Sequence, residues 1–316
     1  MAKATYTNNP INKAIGRILF DIKDIENNKE SLKDEGLYFN FNVNDKINTN
    51  YTMLIIGPED SPYVGGYYYF NCIFPDNYPF YPMKIYSKTQ GGGIRKHPNL
   101  YVCGKCCFSF LGTWSGPPWT ACLNPIKVGI SIRSVLINNP LVNEPGFEKK
   151  NDSSTKLYED IVRYFNIKYA VLNIIENTPE ELKPFIKDIY KSFITNYPKF
   201  KIEINKLLHL DLKNIKSPVY SFNVTINCTE LHSQLDKQYK HILSDLSSMD
   251  NSETESVNTL SITSDTMSST NINASTDIHL SDSDKNINIV NTPDIMADHS
   301  SKKSKKSYTK KCPKNP

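Results

Sequence analysis

Between Leu37 and Ser87 the sequence sets out four short runs rich in aromatic and branched residues, each closed off by turn-forming residues. In the first, Leu37, Phe39, Phe41 and Val43 alternate with Tyr38, Asn40 and Asn42, the period of two that marks a half-buried strand. Tyr51 to Ile56 and Tyr67 to Phe74 qualify by their Tyr, Ile and Phe content, with Gly57-Pro58 and Ser61-Pro62 marking the turn between them. Met83 to Ser87 supplies a fourth run, and the succession predicts an antiparallel meander. Ahead of it, Ile11, Ala14, Ile15, Ile18, Leu19 and Ile22 recur at helical spacing after Asn9-Pro10, so an amphipathic helix opens the domain.

After the fourth run the periodicity stops. Thr89 to Pro118 is rich in Gly, Pro and Asn, the signature of a long ordered loop, and such loops inside compact domains are usually functional. Within it, His97-Pro98-Asn99 is followed by Gly104, the adjacent pair Cys106-Cys107 and Trp114. A nucleophilic thiol needs partial exposure, a neighbour that stabilises developing negative charge, and a rigid turn to hold both. Cys107, Asn99 and His97 are the candidates for those three parts.

Further on, Asn124-Pro125 reads as a helix cap followed by a first-turn proline. Yet Val128, Ile130 and Ile132 alternate like a strand, so 126–137 is ambiguous from its residues. Tyr158, Ile161, Val162, Phe165 and Leu172 form a helical stripe. Thr178-Pro179-Glu180-Glu181 reads as a capping box before Leu182, Ile186, Ile189 and Phe193. Ile202 to Leu210 and Leu231 to Leu246 read as helices, with a strand near Tyr220 to Ile226.

The His-Pro-Asn turn, the cysteine after it and the tryptophan beyond resemble the active-site segment of ubiquitin-conjugating enzymes. Tyr78-Pro79-Phe80-Tyr81-Pro82 stands where that family carries its YPFxPP loop, and Gly65-Gly66-Tyr67 where a strand opens on Tyr/Gly-rich sequence. LGTWSGPPW, with Trp114 and Trp119, and NPLVNEPGFE from Asn139 to Glu148 are similar to the subgroup of large, Apollon-like members. The likeness covers about residues 10 to 195. It implies an α/β (α+β) fold of the UBC type: an N-terminal helix, a four-stranded antiparallel meander sheet, the active-site loop and C-terminal helices, with a helix at 126–137. It also implies acyl transfer through a cysteine thioester. Aligning on Gly104-Lys105 and Leu111-Gly112-Thr113-Trp114 puts the thioester cysteine at Cys107, eight positions after Asn99, and leaves Cys106 as an inward-pointing small hydrophobe. The side-chain amide of Asn99 would stabilise the oxyanion, with His97 supporting it structurally and not as a general base. Glu144, in Asn143-Glu144-Pro145, falls where the family keeps an acidic residue that helps an incoming lysine lose its proton; a plain loop carboxylate is the competing reading.

By the same resemblance the implied partners are ubiquitin or a ubiquitin-like modifier, an activating enzyme, a ubiquitin ligase and substrate proteins. The first helix, Phe80 and the loop of Trp119 and Ala121 would form the partner-binding face. No cofactor is expected, since ATP is consumed by the activating enzyme. Ala121 stands where the family has the proline of Trp-Ser-Pro-Ala, and Pro125 comes early in the next helix, two departures from the pattern. A rival reading makes Cys103-x-x-Cys106, Cys122 and His97 a zinc module, but a second paired motif at finger or ribbon spacing is missing. A ubiquitin-binding variant without activity would lack the nucleophile, whereas Cys107 and the complete turn are both present.

The 316 residues, 39% hydrophobic and 22% charged, have the composition of a soluble globular protein, and the net charge of +4 says little about nucleic acid. No stretch approaches eighteen uninterrupted apolar residues, and the first ten lack the apolar run of a signal peptide. A cytoplasmic or nuclear protein is expected. Seven cysteines, four of them between Cys103 and Cys122, argue for reduced thiols over a disulfide framework. The expected divisions are a core domain over 1–197, a helical extension over 198–246, and a disordered Ser/Asn/Thr-rich linker and Lys-rich tail over 247–316. The last sixteen residues hold seven lysines and no acid: a nuclear address, a nucleic-acid contact or simply a solvated tail.

Overall fold

The computed structural model describes residues 10–41 and 50–262, and the chain divides into two units, Met1–Asn251 and Ser252–Pro316. The readings of residues 263–316 as a disordered linker and a lysine tail lie outside the described residues, as do the side chains of Ile11 and Val43.

Helix α1 (Pro10–Asn27) buries Ala14, Ile18, Ile22 and Ile25, spaced four, four and three apart along one face. Leu19, expected in that stripe, is 55% exposed beside Phe20, because it lies one residue off the buried row. A short helix α2 (Lys29–Asp34) and the left-handed Gly36 turn the chain into the sheet. Strands β1 (Leu37–Phe41), β2 (Asn50–Ile56), β3 (Tyr67–Ile73) and β4 (Lys84–Ser87) pair in order, all antiparallel, as the sequence predicts.

At their Ile55–Tyr68 end β2 and β3 are buried on both faces: Met53, Leu54 and Ile55 in succession are fully covered, as are Tyr67 and Tyr68, while Thr52, Asn71 and Ile73 further along are partly exposed. Successive side chains point to opposite faces of a sheet, and each face here has its own helical cover. Tyr68 donates to Asn166 Oδ1 (2.7 Å) on one side, while Tyr67 donates to the carbonyl of Ile189 (3.0 Å) on the other.

Helix α3 (Pro125–Ser134) settles the ambiguous segment. The extended Asn124 accepts the Lys127 N–H on its side chain (2.9 Å), Pro125 needs no donor there, and Val128 and Ile132 are buried while Ile130 is half exposed. Helix α4 (Ser153–Phe165) starts on a capping box between Asp152 and Thr155 and buries Tyr158, Ile161, Val162 and Phe165. A π-helical turn (Asn166–Leu172) and α5 (Asn173–Glu176) continue it. The capping box expected at Thr178 does not form. Pro179 is extended, the Thr178 hydroxyl bonds back to the Ile175 carbonyl (3.2 Å), and Pro184, lacking an N–H, confines Glu180–Phe185 to a 3₁₀ segment.

Helix α6 (Ile186–Asn205) runs unbroken through Tyr197, where a boundary was expected. Beyond it come a 3₁₀ turn (Leu208–Leu210), the hairpin β5 (Asn214–Lys216) and β6 (Asn223–Thr225), and helix α7 (Cys228–Ile262). Phe200, Ile204, Leu207, Ile226, Leu231, Leu235 and Ile242 are at most 1% exposed and belong to the same core as the sheet, so 198–246 shares the core of the preceding residues. Arg163 of α4 joins the two parts through Glu203 of α6 (2.6 Å), while Asp160 (2.5 Å) and Glu159 (2.8 Å) hold its guanidinium from within α4. α7 also extends past Ser247, where disorder was expected. Adding a residue to a helix that is already anchored costs far less than starting one.

Candidate active site

The long loop is tied down along its length. Ser87 of β4 donates its N–H to the Gly104 carbonyl (2.8 Å), and Gly104 has a φ of 86° at a point where a Cβ would lie 2.9 Å from the Ser87 carbonyl oxygen. Only glycine is comfortable there. Tyr63 donates to the Lys96 carbonyl (3.0 Å) and Tyr158 to the Arg95 carbonyl (2.5 Å), which fixes the approach to His97 from the core side.

His97 is fully buried with both ring nitrogens engaged: Nδ1 lies 3.0 Å from the Asn99 N–H that donates to it, and Nε2 lies 3.0 Å from the Val135 carbonyl just past α3. Nδ1 as acceptor and Nε2 as donor define the neutral imidazole. Burial, opposed by the Val135 contact and reinforced by the nearby Lys96 and Arg95, lowers its pKa from 6.5 to about 3. Such a ring braces the turn and takes no proton near neutrality.

Asn99 and Cys107 hold each other reciprocally. The Cys107 N–H donates to the Asn99 carbonyl (2.8 Å), and Asn99 Nδ2 donates to the Cys107 carbonyl (2.6 Å). Asn99 Oδ1 is buried without a hydrogen-bond partner. The thiol of Cys107 donates to the Thr113 carbonyl at 2.8 Å, and the residue is only 3% exposed, less open than the sequence reading required of a nucleophile. The tight turn responsible is built by Thr113 itself: its Oγ1 accepts the Phe108 N–H (2.9 Å) and lies 3.1 Å from the Cys106 carbonyl, so the chain folds back over the sulfur. Cys106 points inward, its thiol raised to about 12 chiefly by burial. Among the described residues Cys72, Cys106, Cys107, Cys122 and Cys228 are free thiols.

Other residues singled out from sequence take varied positions. Phe80 is 71% exposed, with Tyr81 beside it at 60%. Trp119 is half-buried, its Nε1–H donating to the Pro79 carbonyl (2.6 Å) and its ring tilted against Tyr78. Ala121 acts through its backbone: its carbonyl accepts Arg17 Nη1 (2.8 Å), the Leu123 carbonyl accepts Nη2 (3.0 Å), and the loop is thereby roped to α1. Glu144 accepts the Tyr220 hydroxyl on Oε2 (2.5 Å). No group of three or more His, Cys, Asp or Glu among the described residues is placed to hold a metal ion, and both ring nitrogens of His97 are spent on the turn.

Sequence reasoning missed four participants. Val135 acts through its carbonyl oxygen, which no side-chain motif advertises, and Thr113 through its carbonyl as well as its hydroxyl. Arg95 lies over the rings of Tyr101 (3.8 Å) and Tyr220 (4.0 Å); its place two residues before His97 was the available signal, whereas Tyr220 gave none.

Residues 21–168 match the family model described as ubiquitin-conjugating enzyme. The human ubiquitin-conjugating enzyme E2 Z is 36% identical over 170 residues, covering 52% of this chain and 47% of that protein. The probable ubiquitin-conjugating enzyme E2 R521 of Acanthamoeba polyphaga mimivirus is 38% identical over 159 residues, 47% of this chain and 11% of that one. The human dual E2 ubiquitin-conjugating enzyme/E3 ubiquitin-protein ligase BIRC6 is 37% identical over 136 residues, 40% and 3% respectively. The chain thus spans about half the length of the E2 Z proteins it matches.

Proposed function

We propose, from the premise that residues 21–168 form a ubiquitin-conjugating domain, that this chain carries ubiquitin or a ubiquitin-like modifier as a thioester on Cys107. In the charging step the Cys107 sulfur attacks the thioester carbonyl on the activating enzyme. A new C–S bond forms, the old one breaks, and the Cys107 proton leaves with the released thiol. In the second step a substrate lysine, or a ligase cysteine, attacks the same carbonyl and Cys107 departs as thiolate. Each step passes through a tetrahedral oxyanion.

The observation that carries this reading is the reciprocal Asn99–Cys107 pair under a neutral His97. A primary amide has two N–H groups, and with one on the Cys107 carbonyl the other remains for an oxyanion. Losing one such donor costs about a hundred- to a thousandfold in rate. Glu144 keeps its proposed part in accepting the lysine proton, its carboxylate oriented by Tyr220. Phe80, Trp119 and Ala121 are proposed to meet the ligase and the activating enzyme, and the cytoplasm or nucleus is the proposed location.

The test is single-turnover charging with activating enzyme, ATP and labelled ubiquitin, resolved with and without reductant. The reading expects a reducible adduct in wild type and in Cys106→Ala, none in Cys107→Ala, and in Asn99→Ala an adduct that discharges to lysine at least a hundredfold more slowly. No adduct with ubiquitin or any related modifier ends it.

A further inference from the structure

The active-site turn is reached from outside the matched domain. The tip of the β5–β6 hairpin, at Tyr220 and Ser221, has φ angles of 65° and 52°, a region that non-glycine residues adopt only when their surroundings hold them there. What holds Tyr220 lies far back in the sequence. Its ring lies 4.0 Å from the Arg95 guanidinium and edge-on to Tyr158, and its hydroxyl is given to Glu144. Arg95 is gripped at both ends: Tyr158 donates to its carbonyl, and its side chain lies over Tyr101 as well as Tyr220. From that position Arg95 Nη2 donates to the Pro98 carbonyl at 2.5 Å, one peptide unit before Asn99. The family match ends at residue 168, and Tyr220 lies beyond it.

We propose that Arg95 and Tyr220 are positioning residues, a clamp through which the C-terminal extension sets the Pro98–Asn99 peptide and with it the Asn99 amide. The inference rests on the thioester reading for its kinetic consequence, though not for its structural one. A flat guanidinium over two rings, bonded to a carbonyl, is a task lysine does not reproduce. The two contacts of Tyr220 are also separable: phenylalanine keeps the ring over Arg95 and releases Glu144.

The experiment uses the full chain. Charged wild type, Tyr220→Leu, Tyr220→Phe and Arg95→Lys are discharged onto free lysine, and the ¹⁵N spectrum of each uncharged protein is recorded at the Asn99 backbone amide and the His97 ring N–H. The clamp expects discharge slowed tenfold or more in Tyr220→Leu and Arg95→Lys with the extent of charging unchanged. It expects both Asn99 and His97 signals displaced in those two variants, the Asn99 and His97 signals of Tyr220→Phe in their wild-type places because the ring over Arg95 is kept, and the double variant no slower than the slower single. Wild-type discharge in Tyr220→Leu, undisplaced Asn99 signals, or rate losses that multiply in the double variant would overturn it. If Tyr220→Leu does not fold, Arg95→Lys decides by the same readouts. If wild type never charges, the thioester reading fails, and the Asn99 displacement still decides the clamp.

Discussion

Replacing His97 by glutamine should remove an acid sensitivity that can be sized from the structure. The imidazole is fully buried, neutral, and held near a pKa of about 3, against 6.5 when exposed. Between those values the unfolded chain binds a proton that the native state refuses, so native stability falls as pH drops from 6.5 towards 3. The slope is about 1.4 kcal/mol per pH unit, or roughly 2 kcal/mol by pH 5. His97→Gln loses the ring's two hydrogen bonds and starts about 1–3 kcal/mol less stable at pH 7.5, but it has no imidazole to protonate. Urea unfolding at half-unit steps from pH 7.5 to 4.5, followed by the fluorescence of Trp114 and Trp119, gives both curves. The gap between wild type and variant should be constant above pH 7 and narrow by about 2 kcal/mol at pH 5. Carboxylates titrate in both proteins and cancel in the difference. A gap that stays constant to pH 4.5 would refute the buried neutral ring.

The neighbouring Lys96, buried and lowered to about 7, gives the same sign in another window. Its unfolded form holds the extra proton from pH 7 to 10.5, so wild type should gain on Lys96→Met by roughly 2–3 kcal/mol between pH 7.5 and 9.5 in urea unfolding. Gly66→Ala places a Cβ 1.9 Å from Asn166 Oδ1, the acceptor of the Tyr68 hydroxyl, and should cost about 1–3 kcal/mol in thermal unfolding; no loss would mean Asn166 moves freely. Phe200→Ala, though beyond the expected boundary at 197, should cost about 3–5 kcal/mol, as a core residue does, against well under 1 for a peripheral appendage.

Much of the fold was legible because its signals are local. Alternation announces β1 and Tyr, Ile and Phe content announces β2 and β3, whereas the residues of 126–137 left helix and strand open and only the family resemblance pointed to α3. Cys107, Asn99 and His97 were legible as neighbours, and the structure brings them together in one turn. Local signals fail where a neighbour decides. Thr178-Pro179-Glu180-Glu181 has a capping box in its letters, but Pro179 in an extended conformation and Pro184 downstream forbid the ordinary first turn. The Thr113 carbonyl that takes the Cys107 thiol carries no residue code. Tyr220 meets Arg95 across 125 positions, a pairing that no window of sequence displays.

That separation acquires a meaning during synthesis. Arg95 and the turn it supports leave the ribosome 125 residues ahead of Tyr220, and Ile242, which completes the core, follows later still. At about 5–20 residues per second the interval before Tyr220 is on the order of 6–25 s. Until residue 205 emerges the nascent sheet lacks the whole of α6 over one face, and until Tyr220 emerges Arg95 lacks one of its two rings. The turn that holds Asn99 and Cys107 is therefore among the earlier segments of this chain to be made and among the last to be finished.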